Sequence, residues 1–149
     1  MGIHQLRKPM VNIFKRDYEH YDGVPRINIY VMRLFFGLMV FYIMPWSWKH
    51  IITHAGPWSP TDAVAWCTWA TYSTLAIIGL YRTLKMLPIM IFMVFYKILW
   101  LIFVAYPLWR TDQLVGSPAE ELTGMFILLP IPALFIPWGY VFRKYVLPE

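Results

Sequence analysis

The sequence predicts an all-α, polytopic membrane protein with four transmembrane helices in an up-down bundle. Three observations lead to this fold class. The 149-residue chain is 59% hydrophobic, and only 14% of its residues are charged. Soluble domains carry about 25% charged residues. The apolar residues also fall into four runs that are long enough to cross a bilayer. We therefore expect one membrane domain with short connections.

The apolar runs define the predicted domain boundaries. Residues 1–26 form a basic amphipathic arm on the cytoplasmic side, residues 27–142 form the transmembrane domain, and residues 143–149 form a cytoplasmic tail. Within the transmembrane domain, the predicted spans are residues 27–48, 62–81, 86–107 and 120–140.

The first span carries Arg33 about 9 Å from its start by helical rise, close enough for the side chain to snorkel to the interface. The stretch Arg33-Leu-Phe-Phe-Gly37-Leu-Met-Val-Phe, which runs on to the Trp-rich end of the span, resembles the opening of DoxX-like four-helix membrane proteins. This resemblance is confined to the first span. It implies a four-helix bundle that is sometimes associated with quinone-linked sulfur oxidation, usually as a subunit. No catalytic motif of that family can be carried over to residues of this chain.

The second span is rich in small and hydroxyl-bearing residues. Such residues let helices approach closely in a membrane, where lipid supplies no hydrophobic drive for association. We therefore expect this span to provide a helix-packing face. The residues concerned are Ala63, Ala65, Thr68, Ala70, Thr71, Ser73, Thr74, Ala76 and Gly79.

The third span contains a single full charge, Lys97. Helical rise places this lysine about 16 Å from the start of the span, near the membrane midplane. A lysine at that depth costs about 2.5–3.5 kcal/mol on insertion scales, so it must face something polar. The antiparallel second span brings Thr71 and Tyr72 to the same depth, with Thr68 on the same face. Trp100, three residues after Lys97, would offer a cation–π contact.

Two interpretations of Lys97 stay open at the level of sequence. The lysine either binds a ligand or accepts a proton, or it is a polar pin that sets helix packing or reaches a partner subunit. No Asp or Glu lies in the middle of any span, so a carboxylate-based proton antiporter is poorly supported.

The fourth span contains Pro130, Pro132 and Pro137. Because proline removes a backbone donor, this span is predicted to be kinked or locally unwound, with carbonyls released from the helical ladder.

Two loops end in the sequence pattern Ser-Pro-x-acid, at 59–62 and 117–120. This pattern predicts a helix start, with Ser as N-cap, Pro at the first helical position and the acid at the third.

His50 and His54 are spaced i, i+4 at the end of the first span. They are weak candidates for binding a metal or a haem iron, and Asp62 and Asp112 would be needed to complete a metal set. We interpret both histidines instead as anchors in the head-group region. No cofactor is therefore predicted, and haem, quinone or a bound lipid are the alternatives.

Basic residues predict the orientation. Nine Lys and Arg residues lie in the arm, in the turn at 82–85 and in the tail, whereas the other two loops contain only Lys49 and Arg110. By the positive-inside rule both termini are cytoplasmic, in an integral protein of a bacterial inner membrane. Because the basic residues cluster beside the apolar runs, the net charge of +5 does not indicate nucleic-acid binding.

The sequence leaves three functions open. The leading expectation is a non-catalytic subunit or assembly factor of a larger membrane complex, because no nucleophile, metal or nucleotide motif accompanies Lys97. The first alternative is a module around Lys97 that binds or transports a lipid, quinone or small molecule. The second is a redox accessory subunit with a cofactor near His50 and His54. The expected partners are membrane lipid and other membrane subunits, or further copies of this chain.

The charge count predicts that residue 117 faces the side opposite the termini. In a Cys67→Ala background, Ser117→Cys should react with an impermeant maleimide supplied outside the inner membrane, and Glu19→Cys should react only after lysis. Labelling of Ser117→Cys solely from the cytoplasm would contradict the predicted orientation.

Overall fold

Three long helices dominate the computed structural model, which describes residues 12–128 and 130–147. They are α1 (Arg26–Thr53), α2 (Pro60–Tyr81) and α3 (Leu87–Arg110). Each is long and apolar enough to cross a membrane. The predicted all-α class therefore agrees with the architecture, apart from a two-residue antiparallel pairing of β1 (Arg16–Asp17) with β2 (Val24–Pro25).

The region predicted as the fourth span is broken. It contains α4 (Glu120–Phe126), α5 (Pro130–Phe135) and α6 (Trp138–Val146). The helical segments on either side of Pro137 meet at 66°, which describes a broken span or a re-entrant pair. The described chain thus has three span-length helices, or up to four when the bent pair counts as one span.

The first helix is longer than its apolar run. It was predicted to end at residue 48, yet α1 continues to Thr53, where His54 turns to an extended conformation. The interfacial residues after the apolar run are all compatible with helix, and nothing breaks the helix before Gly56-Pro57. Apolarity marks the membrane-embedded part of the chain, whereas the helix ends only where the backbone is forced to turn.

Two prolines lie inside long helices without breaking them. Pro45 in α1 and Pro107 in α3 each follow a five-residue π-type turn, Met39–Ile43 and Leu101–Ala105 respectively. A proline cannot donate to the carbonyl four residues earlier, and its ring clashes with that carbonyl. A wider turn directly before the proline relieves this clash, so both helices continue.

At the break in the fourth region, side chains satisfy the carbonyls that proline releases. Pro137 has no N–H for the carbonyl of Ala133, which accepts a hydrogen bond from Nε1 of Trp138 at 2.9 Å. The carbonyl of Phe135 accepts a hydrogen bond from Nδ2 of Asn28 in α1 at 2.8 Å. Pro137 therefore frees the carbonyl of Ala133 as predicted, the bend leaves that of Phe135 without its helical partner, and the protein supplies donors for both.

The two Ser-Pro-x-acid motifs behave differently. The first starts α2 at Pro60, with Ser59 in the N-cap position. At the second motif, α4 begins at Glu120, where the fourth span was predicted to start, but the capping prediction is wrong, because Ala119 and not Ser117 is in the N-cap position. There Oε2 of Glu120 accepts from the backbone N–H of Gly116 at 2.7 Å, and Oγ of Ser117 accepts from the N–H two residues later. Each bond is made one residue earlier than a capping box requires, so residues 117–119 form a turn.

The core lies where α1 packs against α2 and α3. Its fully buried side chains include Ile29, Met32, Phe36, Leu87 and Met90. On α2, the buried positions Ala70, Ser73, Ala76 and Gly79 recur at every third residue and form the packing face.

Gly79 sets the distance between α1 and α2. A Cβ atom placed on Gly79 would lie 2.6 Å from ring atoms of Phe36, closer than real contacts allow. The absence of a side chain therefore lets the buried Phe36 ring lie directly on the backbone of α2.

One end of the bundle collects most of the cations, and we call it the basic end: the starts of α1 and α3, the end of α2 and the end of α6. The segment 12–25 folds against this end. Oδ2 of Asp17 accepts from Nε of Arg26 at 2.6 Å, and this bond lowers the pKa of the Asp17 carboxyl to about 2. The backbone carbonyl of Asp22 accepts from Arg143 at 3.1 Å. Residues 1–11 of the predicted arm lie outside the described residues.

Gly79→Ala should lower the free energy of unfolding by about 1–3 kcal/mol, because the new methyl group would overlap the Phe36 ring. The higher helix propensity of alanine offsets only part of this cost. Thermal unfolding in detergent measures the change. Gly37→Ala is the matched control, since its Cβ would meet Leu80 at an ordinary 3.9 Å. Equal effects of the two substitutions would contradict the close approach at Gly79.

Candidate binding site at Lys97

Lys97 lies near the middle of α3 and is half-buried. Its Nζ lies 5.0 Å from the centroid of the Phe126 ring in α4. Among residues 12–128 and 130–147, no polar group forms a hydrogen bond or ion pair with the ammonium. A cation–π contact is worth about 0.5–2 kcal/mol, which is less than the cost of about 2.5–3.5 kcal/mol for a lysine at the membrane midplane, where the sequence predicts Lys97 to lie.

Aromatic residues from four helices line the cavity beside Lys97. This cavity of about 70 Å³ adjoins a second cavity of about 260 Å³, and the two share Trp69, Tyr96, Leu122 and Phe126. We call this pair of cavities the Lys97 cleft. It lies between α2, α3 and α4, and α1 contributes Ile43 and Trp46. Ligand sites typically combine an apolar lining of this kind with a few polar groups, although the typical volume of about 300–1,000 Å³ is larger than that of either cavity.

Two polar contacts fix the walls of the Lys97 cleft. The hydroxyls of Tyr72 in α2 and Tyr96 in α3 lie 3.4 Å apart. Nε1 of Trp100 donates to Oγ1 of Thr123 in α4 at 3.2 Å. These contacts tie α3 to both neighbouring helices at the level of the lysine.

The structure separates the hydroxyls that were predicted to meet Lys97. Tyr72 does line the cavity beside the lysine. Thr68 does not line that cavity, but it lines the adjoining cavity and a separate groove. Thr71 is exposed, donates to the carbonyl of Cys67 at 2.7 Å and lines a different groove, so the expectation for Thr71 is wrong. Depth along two antiparallel helices was estimated from residue counts, but those counts do not fix the rotation of α2 about its axis.

The aromatic partner of Lys97 was also misassigned. The sequence pointed to Trp100, whereas the ring nearest the ammonium belongs to Phe126. Trp100 instead meets the Phe126 ring edge-on, with ring centroids 6.0 Å apart. The i, i+4 spacing of Leu122 and Phe126 was the available signal, because it places both residues on one face of α4.

Arg33 belongs to a separate place in the fold. It is half-buried at the basic end, and its Nε donates to Oγ1 of Thr83 at 3.1 Å. The hydroxyl of Thr83 in turn donates to the carbonyl of Gly79 at 3.0 Å. Arg33 is therefore not part of the Lys97 cleft.

The two histidines at the end of α1 stack on tryptophans. The ring of His50 lies 3.7 Å from that of Trp66, and the ring of His54 lies 3.5 Å from that of Trp58, both nearly parallel. Nε2 of His54 is buried and has no hydrogen-bond partner among the described residues. These stacks hold the loop after α1 against the start of α2.

Asp62 and Asp112 do not complete a metal set with these histidines. In the described part of the chain, no three His, Cys, Asp or Glu side chains come close enough together to hold an ion.

No family model, curated protein or solved structure matches this sequence. The DoxX-like resemblance of the first span therefore stays a prediction, and the function must be argued from the site itself.

His54→Ala should leave the metal content of the purified protein unchanged and lower its unfolding temperature, because the aromatic stack on Trp58 contributes about 0.5–1.5 kcal/mol. Elemental analysis and thermal unfolding measure the two effects. His20→Ala is the comparison, since His20 lies in the segment 12–25 and is exposed. A stoichiometric metal that is retained by the wild type and lost in His54→Ala would show that the histidines are ligands.

Proposed function

We propose that this chain is a non-catalytic subunit or assembly factor of a larger membrane complex. In this proposal the bent region from α4 to α6 is the fourth span, both termini are cytoplasmic, and the complex resides in a bacterial inner membrane. The three span-length helices and the bent pair support the topology, and the concentration of cations at the basic end supports the orientation.

One observation carries the proposal. The ammonium of Lys97 meets only an aromatic ring among the described residues, and that contact does not offset the cost of its depth. A polar group from outside the described residues would supply the remaining stabilisation. A carboxylate or hydroxyl on a partner helix has the required chemistry, since intramembrane charges are almost always paired or face a polar cavity.

The position of the lysine suits such a partner. Lys97 is half-buried, so part of its side chain is accessible from outside the bundle. The neighbouring positions Ile98, Leu99 and Ile102 of α3 are exposed and apolar, and a membrane helix could pack on them. A partner at this face would bring its acceptor to the ammonium from the open side of the Lys97 cleft.

The volume next to the lysine favours a second candidate function, the binding of an amphiphile. The adjoining cavity of about 260 Å³ is lined by Trp69, Trp100 and Phe126, whose rings suit a planar or acyl group. The ammonium of Lys97 would then bind a carbonyl or anionic head group. A quinone or an anionic lipid has this combination of groups.

Lys97→Met tests both functions. The substitution removes the charge at nearly constant side-chain volume, so folding should be retained or improved, as is often found when buried charges are replaced. Under the leading proposal the wild type, extracted in mild detergent, runs on native gels well above its 17.7 kDa monomer mass with stoichiometric partners. Lys97→Met should lose those partners. Lys49→Met is the matched control, because Lys49 is exposed at the end of α1.

The same preparations separate the two candidates. A small molecule that co-purifies with the wild type and is absent from Lys97→Met would favour the amphiphile site. A wild type that migrates as a bare monomer in every mild detergent would contradict the subunit proposal, as would equal partner retention in Lys97→Met and Lys49→Met.

A further inference from the structure

A separate cavity of about 260 Å³ with a polar lining opens at the basic end, and it shares no lining residue with the Lys97 cleft. It lies where the turn between α2 and α3 meets the segment 12–25 and α6. Three cationic side chains line it, from Arg33, Arg82 and Lys85, together with Tyr81 and Tyr140. The cavity is smaller than the roughly 300–1,000 Å³ of drug-sized ligand sites, which suits a compact polar group.

Arg33 is the oriented member of this set. Its Nε bond to Thr83 fixes the guanidinium, and Thr83 is itself only 4% exposed and bonded to the carbonyl of Gly79. One edge of the guanidinium is thus occupied by the protein. The two terminal nitrogens remain for a ligand, and their planar arrangement matches the oxygens of a phosphate.

Arg82 and Lys85 add charge that the described protein does not neutralise. Neither side chain forms an ion pair within residues 12–128 and 130–147. Other cations of the basic end are already engaged, because Arg26 binds Asp17 and Arg143 binds the carbonyl of Asp22. Arg82 and Lys85, which form no ion pair among the described residues, both lie at this cavity.

The opposing charge in the cavity is small. Asp22 is the carboxylate that lines it, and its side chain is exposed to solvent. His20 also lines the cavity and lies 3.2 Å from the carboxylate of Asp17. Three cations against one exposed carboxylate leave a site that attracts anions.

We propose that this cavity, which we call the basic pocket, binds a phosphate group, presented either by an anionic lipid head group or by a free phosphate. Its position favours the lipid, since the pocket adjoins the ends of apolar span-length helices, where head groups lie. Basic pockets between transmembrane helices are a known mode of head-group recognition. Arg33 orients the phosphate, and Arg82 and Lys85 supply the attraction.

Native mass spectrometry of the full-length protein in a neutral detergent tests the basic pocket, with phosphatidylglycerol as the probe and phosphatidylcholine as the zwitterionic comparison. The wild type should bind one phosphatidylglycerol saturably and more tightly than phosphatidylcholine. The double variant Arg82→Gln/Lys85→Gln changes two exposed side chains and should fold normally. Its affinity should fall about thirty-fold, as expected for the loss of two basic contacts.

Lys49→Gln/Arg110→Gln is the matched control, because it removes the same charge from the opposite end of the bundle. Its affinity for phosphatidylglycerol should remain that of the wild type. Thr83→Val adds a test of geometry, since it keeps all charges, frees Arg33 to rotate and should weaken binding several-fold.

Competition with inorganic phosphate shows whether the basic pocket binds a lipid head group or a free phosphate. Displacement of phosphatidylglycerol by millimolar phosphate would show that the pocket accepts the free anion, whereas binding that resists phosphate would assign it to the lipid. Either result supports the pocket. The proposal would be overturned if Arg82→Gln/Lys85→Gln and Lys49→Gln/Arg110→Gln lost the same affinity for phosphatidylglycerol. Equal affinity of the wild type for phosphatidylglycerol and phosphatidylcholine would also overturn it.

Discussion

The structure depends on one constraint: a backbone polar group inside a membrane must find its partner within the protein. Internal prolines at 45, 107 and 137 each break a helical ladder, and the chain answers in two ways. A π-type turn precedes Pro45 and Pro107 and lets the helix continue. At Pro137 the helix breaks, and Trp138 and Asn28 supply the missing donors. The bond from Asn28 also ties the broken region to α1, so the backbone requirement at the break contributes to tertiary structure.

Lys97 poses the same problem for a side chain. At the midplane predicted for it, the lysine would cost more than the Phe126 ring returns, and the described residues provide no acceptor. The aromatic rings of Phe126 and of the other residues that line the Lys97 cleft lie on one side of the lysine, and the side chain stays partly exposed. A protein that needed the lysine only for its own packing would be expected to supply an acceptor, as it does for the carbonyls of Ala133 and Phe135. The contrast between these cases is the basis for assigning Lys97 a role toward another molecule.

The sequence predicted the parts of the fold that follow from local chemistry. Apolar length located the three long helices, Ser59-Pro60 marked the start of α2, and the three prolines of the fourth region predicted a kink or local unwinding there. It did not predict the 66° bend, because proline fixes where a helix fails but not the direction in which the chain resumes. For the site, the sequence predicted Tyr72 and Thr71 at the level of the lysine; Tyr72 lines the cavity beside it, whereas Thr71 lines a different groove. The choice between them depends on helix rotation, and α2 is apolar on nearly all sides, so its pattern carries little rotational information. The role of Phe126 depends on how α4 docks, which no local pattern encodes.

The π-type turns in α1 and α3 have a consequence for how this sequence can vary. Each turn holds one residue more than an α-helical turn, which rotates everything beyond it by about 100° relative to an uninterrupted helix. The 3.6-residue periodicity of the buried face before Met39 is therefore not continued by the Trp-bearing end after Ile43, which is offset by one residue. Removing a single residue from Met39–Ile43 and replacing Pro45 would restore an α-helical turn with both faces in position, whereas removing the residue alone would bring back the clash of the proline ring with the carbonyl four residues earlier. The wide turn and the proline therefore depend on each other, so a change at one of them is expected to require a change at the other.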